Sequence, residues 1–345
     1  MWKLWLLAGL VACNGGTGTG NTKTDDTAAQ DDTGGGGGSG DNWGPSGTGY
    51  AWFVDGADDN SVFHLEMAAT RAPRDGEAYY GWVTKAGEEP KPVGEIVVTG
   101  EDLIFEKELG FNAVLEGYDG FEAWATDNGG TAAEGTRLWS GQVDPEIYSS
   151  IQNLLVASTT TPDGQGSLRS LEGYIERMQN SVTDTIAATD DLTALHNEAE
   201  RVVNAIEGTQ HDVVGDGSVE MYDWQFSVLG DSGYIGLILA DISTVSAQVP
   251  PTDEIKEFGN HAYDCTELIQ AKAEAASRNA GTATAAGAPT TAETQLETAV
   301  ESLGFALNGE DGDDEGEDID PITEGTLECA IFYVSEMMRM PVGTR

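Results

Sequence analysis

Basic residues are scarce in this chain, and a long apolar run is absent from it. Sixteen Lys and Arg stand against 60 Asp and Glu among 345 residues, which gives a formal net charge of −44 at pH 7. This charge would repel a nucleic acid, and it would equally oppose docking on an anionic lipid surface. Composition therefore argues against nucleic acid as a partner and favours a solvated, acidic surface.

Catalytic signatures are also missing from the sequence. It contains no His-Glu-x-x-His, Cys-x-x-Cys-His or Gly-x-Ser-x-Gly motif. The glycine run at 34–38 is followed by no Gly-Lys-Ser/Thr, so it is not a phosphate-binding loop. Paired carboxylates occur throughout so acidic a chain, and they single out no acid–base pair. We therefore expect a protein that is not an enzyme.

The amino end has the layout of an export signal. Lys3 is followed by a run of nine mostly apolar residues, 4–12, which covers about 14 Å as a helix and so cannot span a bilayer. Leu10-Val11-Ala12-Cys13 resembles the lipobox of bacterial lipoproteins. That resemblance implies a signal peptide at 1–12 and acyl chains on Cys13 that anchor the mature protein to a membrane. An ordinary secretory signal with an incidental cysteine is the alternative.

Residues 13–49 are nearly all Gly, Thr, Asp, Asn and Ser. Such a segment has too few apolar side chains to bury a core, so we expect a disordered tether with a reach of roughly 30–36 Å. Asn14 follows the cysteine, and in the sorting rule of bacterial lipoproteins a residue other than Asp directs the protein to the outer membrane. The expected location is extracytoplasmic, lipid-anchored at the outer membrane or cell surface.

Residues 50–145 are organised as short runs of strand length. Runs such as 62–67, 78–83 and 121–124 are rich in β-branched and aromatic residues, and Gly, Pro, Asp and Asn separate them. This spacing predicts a β-sandwich domain of about seven strands.

The same region resembles the extracytoplasmic β-domain of anti-sigma-K-type factors. The matching stretches are Gly76-Glu77-Ala78-Tyr79-Tyr80-Gly81-Trp82-Val83, Lys91-Pro92-Val93-Gly94-Glu95 and Tyr118-Asp119-Gly120-Phe121-Glu122-Ala123. The resemblance implies an extracytoplasmic sensing or adhesive module. It does not imply regulation of a sigma factor, because the sequence shows neither the sigma-binding segment nor the transmembrane helix of that architecture.

The apolar period changes to 3.6 residues in 146–345. Six stripes at this spacing predict six amphipathic helices, joined by short links except at 279–290 and 308–323. Helices so connected favour an antiparallel bundle. The predicted fold class is therefore α+β multidomain, with an N-terminal β-sandwich followed by an antiparallel helical bundle.

A loop between the second and third predicted helices resembles a degenerate EF-hand or dockerin calcium loop. Its candidate ligands are Asp212, Asp216, the carbonyl of Ser218, Glu220 and Asp223. Calcium takes such hard oxygens at alternating positions, and Gly217 permits the sharp turn. Val214 stands where an oxygen ligand is usual, which implies weak binding with a Kd of about 10⁻⁴–10⁻³ M. An acidic turn without a metal is the alternative.

Two histidines on predicted helices each have a carboxylate one turn away. His196 has Glu200, and His261 has Glu257. Two such pairs facing the bundle interior would form a site for a transition metal or another small ligand. The alternative is that each histidine is simply held by its neighbouring acid.

Cys265 and Cys329 are the two cysteines that remain if Cys13 carries lipid. An even pair in an oxidising compartment predicts one disulfide, here between two helices. Two buried free thiols are the alternative. The bridge requires Cα atoms within about 7 Å of each other.

Overall fold

The structure of the chain is a computed structural model. It describes residues 47–54, 61–68, 70, 72–100, 102–223, 226–230, 232–247, 253–309 and 327–343. The predicted signal peptide, Cys13 and most of the predicted tether lie outside these ranges. The described chain is mixed, with antiparallel sheets from its first half and helices from its second, as an α+β fold requires.

Eight strands form two four-stranded antiparallel sheets in the described chain. They are β1 Thr48–Val54, β2 Val62–Ala68, β3 Ala78–Thr84, β4 Lys91–Ile96, β5 Leu103–Glu108, β6 Gly120–Thr126, β7 Thr136–Gln142 and β8 Met340–Val342. The strand order is β5-β2-β1-β8 in the first sheet and β4-β3-β6-β7 in the second.

Aromatic side chains connect the two sheets. Phe63 on β2 lies against Phe121 on β6, with ring centroids 4.8 Å apart, and both residues are fully buried. A Cβ atom on Gly81 would stand 3.0 Å from the Phe121 ring and 3.1 Å from Ile96. Gly81 therefore leaves the room that these two large side chains occupy.

Seven helices follow in the described part of the chain. They are α1 Pro145–Leu155, α2 Ser167–Ala188, α3 Leu192–Glu207, α4 Tyr234–Ala247, α5 Asp253–Thr284, α6 Pro289–Asn308 and α7 Leu327–Glu336. Asp144 and Asp191 cap α1 and α3, because their carboxylates accept the N–H groups of Glu146 and Thr193. Among the described residues, no helix has the length and apolarity needed to cross a membrane.

Two helical features differ from the sequence expectation. The six predicted stripes begin at Leu168, so they omit α1. This helix packs on the sheet region, where Tyr148 Oη and Gln152 Nε2 both donate to the carbonyl of Val114. The expected link at 279–290 is helical as far as Thr284. Alanine has the highest helix propensity, and buried alanines on both α5 and α6 let these two helices pack closely.

Strand β8 lies in a region whose periodicity predicts helices alone. It pairs with β1, with Gly49 opposite Val342 and Ala51 opposite Met340. Just before it, the Arg339 guanidinium lies 4.3 Å from the Trp52 ring centroid. The last described segment therefore ties the helical part to the first sheet.

Cys265 on α5 and Cys329 on α7 lie at disulfide distance, with Cα atoms 6.1 Å apart. Both are buried, with exposed fractions of 7% and 0%. A bond here would fix α7, and through it β8, to the long helix α5.

We expect loss of this bond to destabilise the fold. Replacing both residues in Cys265→Ser/Cys329→Ser should lower the free energy of unfolding by about 2–4 kcal/mol, because the bond closes a 64-residue separation in the unfolded chain. Urea titration with and without reductant measures the loss. Reductant should weaken the original protein and leave the double variant unchanged; equal midpoints for both proteins under oxidising conditions would contradict the bond.

Candidate functional site

The segment between α3 and α4 holds the predicted calcium loop. Helix α3 ends at Glu207, and α4 does not begin until Tyr234. A helix therefore precedes the loop, but none directly follows Asp223, unlike the arrangement expected from the sequence.

Asp212 organises the first half of this loop. Its Oδ1 accepts the N–H groups of Gly215 at 2.5 Å and Asp216 at 3.1 Å, and its Oδ2 accepts the N–H of Gly217 at 2.8 Å. Gly215 and Gly217 have φ angles of 81° and 92°, a backbone region that favours glycine. The carboxylate thus satisfies three consecutive backbone donors and winds the chain around itself.

The other candidate ligands are engaged differently. Asp216 accepts the N–H of Ser218 at 2.8 Å, and Asp223 is exposed. Glu220 pairs with Arg201 at 2.7 Å. Within the described residues, no group of three or more His, Cys, Asp or Glu side chains is arranged to hold a metal ion. The five predicted ligands share a loop, but no three of its four carboxylates are grouped around one point.

Helix α3 holds the loop through buried polar side chains. Glu200 is 1% exposed and accepts two loop N–H groups, those of Val214 at 2.9 Å and Glu220 at 2.8 Å. Asn204 donates to the carbonyls of His211 and Glu220, both at 3.0 Å. These bonds pair backbone groups at both ends of the loop with one face of the helix.

Glu198, one half-turn before Glu200, is also 1% exposed. Its carboxylate accepts the hydroxyls of Ser181 and Tyr222, each at 2.7 Å, and pairs with Arg201 at 3.1 Å. Burial raises the pKa of Tyr222, and the charge of Glu198 raises it further. The Tyr222 hydroxyl therefore stays protonated and donates to Glu198.

Arg201 lies between Glu198 and Glu220 and is half-buried. Its partial desolvation opposes the charged form, yet hydrogen bonds to the two carboxylates raise the pKa of the guanidinium overall. It compensates two acids in a chain that has few cations. Sequence reasoning missed Glu198, Arg201 and Asn204; their signal is a row of polar residues spaced by three along α3.

The structure does not bring the two histidine pairs together. His196 bonds to the carbonyl of Ala286, just beyond the end of α5, and Glu200 holds the loop instead of the histidine. His261 stacks on Tyr333 at 4.7 Å and faces Glu257 at 4.0 Å. The stretch of α5 between positions 261 and 284 is about 35 Å long. His196 and His261 are therefore too far apart to bind the same metal ion.

A cleft opens between the loop and the end of α3. Its volume is about 320 Å³. It is lined by Tyr174, Asn204, Ala205, Gly208, Thr209, Gln210, Met221, Tyr222, Phe226, Ser227 and Ser232. A smaller cavity of about 170 Å³ shares Tyr174 and Phe226 with it.

No protein-family model matches the chain, and neither does any curated protein or solved structure. The resemblances to lipoproteins, to anti-sigma-K-type domains and to calcium loops therefore stay predictions from the residues that carry them.

We expect Glu200 to be the main anchor of the loop. Glu200→Ala leaves two N–H groups without their acceptor and should lower the free energy of unfolding by about 1–3 kcal/mol. Hydrogen exchange should accelerate most at the amides of Val214 and Glu220. Glu176→Ala, at an exposed position on α2, is the matched control and should change neither quantity. Unchanged exchange at both amides would refute this role of Glu200.

Proposed function

We propose that this is a lipid-anchored extracytoplasmic protein with a non-enzymatic sensing, binding or structural role. Cys13 carries the acyl chains, and the predicted tether, as far as the start of β1 at Thr48, holds the folded unit away from the membrane. The observation that carries the proposal is the lipobox-like Leu10-Val11-Ala12-Cys13 at the end of a short apolar run.

The cysteine pair of the folded unit supports the same location. Disulfides persist in oxidising compartments and are rare in the cytosol. Cys265 and Cys329 lie at disulfide distance in the fold, although 64 positions separate them in sequence. An export signal and a structural disulfide are consistent with one another.

We further propose that the sheets form a β-sandwich and the helices an antiparallel bundle. The Phe63–Phe121 contact supports the first, since it joins inner faces of different sheets. Two hydrogen bonds support the second. His196, near the start of α3, bonds to Ala286, and Glu207, at the end of α3, accepts a bond from Ser277, so α3 and α5 are antiparallel.

We expect the membrane attachment to depend on a single sulfur. Detergent phase separation of cells that express the full chain should place the protein in the detergent phase, and mass spectrometry should find acyl groups on an amino-terminal Cys13. Cys13→Ser should move the protein to the aqueous phase. Cys265→Ser, which removes a different cysteine, is the control and should remain in the detergent phase.

Recovery of the original protein in the aqueous phase with Met1 still present would overturn the proposal.

Calcium binding to the 212–223 loop is the second part of the proposed function. Asp212 supports it, because its carboxylate already curls the loop and Asp216 lies within the same turn. The Arg201 partner of Glu220 competes with a cation for that carboxylate. We therefore place the affinity in the weak range, with a Kd of about 10⁻⁴–10⁻³ M, which suits an extracellular ion.

We expect calcium at about 5 mM, well above that Kd, to raise the melting temperature by a few degrees, since a ligand that binds only the native state stabilises it by mass action. Chelation should reverse the rise, and Asp216→Ala should abolish the response. Asp184→Ala, at an exposed position on α2, is the matched control and should respond as the original protein does. An equal rise with magnesium would indicate general screening of the acidic surface, and no rise would refute the site.

A further inference from the structure

We propose that the cleft lined by the end of α3 and by residues 208–210, 221–222, 226–227 and 232 binds a small organic cation, of the substituted ammonium class. The contacts would be made by the rings of Tyr222 and Phe226, which line the cleft together with the buried Tyr174. This inference is independent of the lipid anchor and of the calcium loop.

The lining has the composition that such a ligand requires. Three aromatic rings and Met221 contribute to it, and none of the described lining residues is charged. Aromatic faces attract ammonium groups through the ring quadrupole, and the attraction grows as water is excluded. The volume of about 320 Å³ lies within the range of small-ligand sites.

Hydrogen bonds fix the rings and raise their electron density. Tyr222 donates its hydroxyl to the buried carboxylate of Glu198 at 2.7 Å, and Tyr174 donates to the carbonyl of Phe226. Donation to a strong acceptor polarises the donor, so each ring face becomes more negative. Burial raises the pKa of both hydroxyls, which therefore remain protonated donors.

The surrounding electrostatics favour the same charge. Glu198 and Glu220 flank Arg201 beside Tyr222, so these three side chains carry one formal negative charge in excess next to the lining. The chain as a whole has a formal net charge of −44 and draws cations towards it. An anionic ligand is disfavoured by both effects, and a neutral one gains from neither.

One cation of the protein, Arg177, already contacts an aromatic ring of the lining. The Arg177 guanidinium lies 6.0 Å from the Tyr174 ring centroid and lines the smaller neighbouring cavity. Arg177 thus makes with Tyr174 the contact that we assign to the ligand with Tyr222 and Phe226. Because like charges repel, the ligand cation is assigned to the rings of Tyr222 and Phe226 and not to that of Tyr174.

Calorimetric titration of the purified full chain with choline tests this inference, in a nonionic detergent without ammonium groups. We expect saturable binding with a Kd on the order of 1 mM. The neutral analogue, with a tert-butyl group in place of the trimethylammonium group, should bind at least about tenfold more weakly. Equal affinity for the analogue would show an apolar cleft and overturn the inference, as would the absence of choline binding at about 10 mM.

Two variants locate the site. Phe226→Leu keeps an apolar side chain but removes a ring face, and it should weaken choline binding about tenfold. Tyr263→Leu, at an exposed aromatic residue on α5, is the matched control and should retain the original affinity. Equal binding by all three proteins would place choline elsewhere and refute this site. Melting temperatures verify that both variants are folded, and the choline–analogue comparison needs no variant.

Discussion

Carboxylates outnumber their possible counter-ions in this protein, and the fold depends on satisfying the buried ones by other means. A buried charge without partners costs several kcal/mol, whereas one that accepts hydrogen bonds from backbone N–H or hydroxyl groups is compensated. Glu200, which is 1% exposed, accepts two backbone N–H groups of the loop. Glu198 accepts two hydroxyls and shares Arg201 with Glu220. Glu198 and Glu200, together with the backbone bonds from Val228 and Leu229 to the carbonyls of Ala205 and Ile206, hold this loop segment on α3.

A single cation, Arg339, also makes several contacts where the helices meet the first sheet. Glu336 is 5% exposed, and burial raises the pKa of its carboxyl, while the charge of Arg339 opposes that rise. Arg339 in turn lies over Trp52 at 4.3 Å and over Phe258 at 5.0 Å. One guanidinium thus contacts a strand, a helix and a buried acid. With Cys329 and β8 on either side of it, the last described segment joins the helical part to the first sheet.

Periodicity predicted the regular elements because apolar spacing is a local property of the chain. The strand runs at 62–67 and 78–83 and the stripe that begins at Leu168 correspond to β2, β3 and α2. Helix α1 has no match among the predicted stripes, and β8 is only three residues long, too short to show an alternating pattern. The strand geometry of β8 comes from the neighbouring β1, which supplies its hydrogen-bonding partners.

The sequence by itself determined the acidic character, the loop turn at Asp212 and Gly217, and the helical caps, since each depends on residues a few positions apart. Only the tertiary structure decided which side chains meet. It places His196 near the end of α5 and His261 near the start of that helix. It also brings Cys265 beside Cys329 and turns Glu200 towards the loop. Contacts of this kind join residues far apart in the chain, and their geometry is set by how the helices pack.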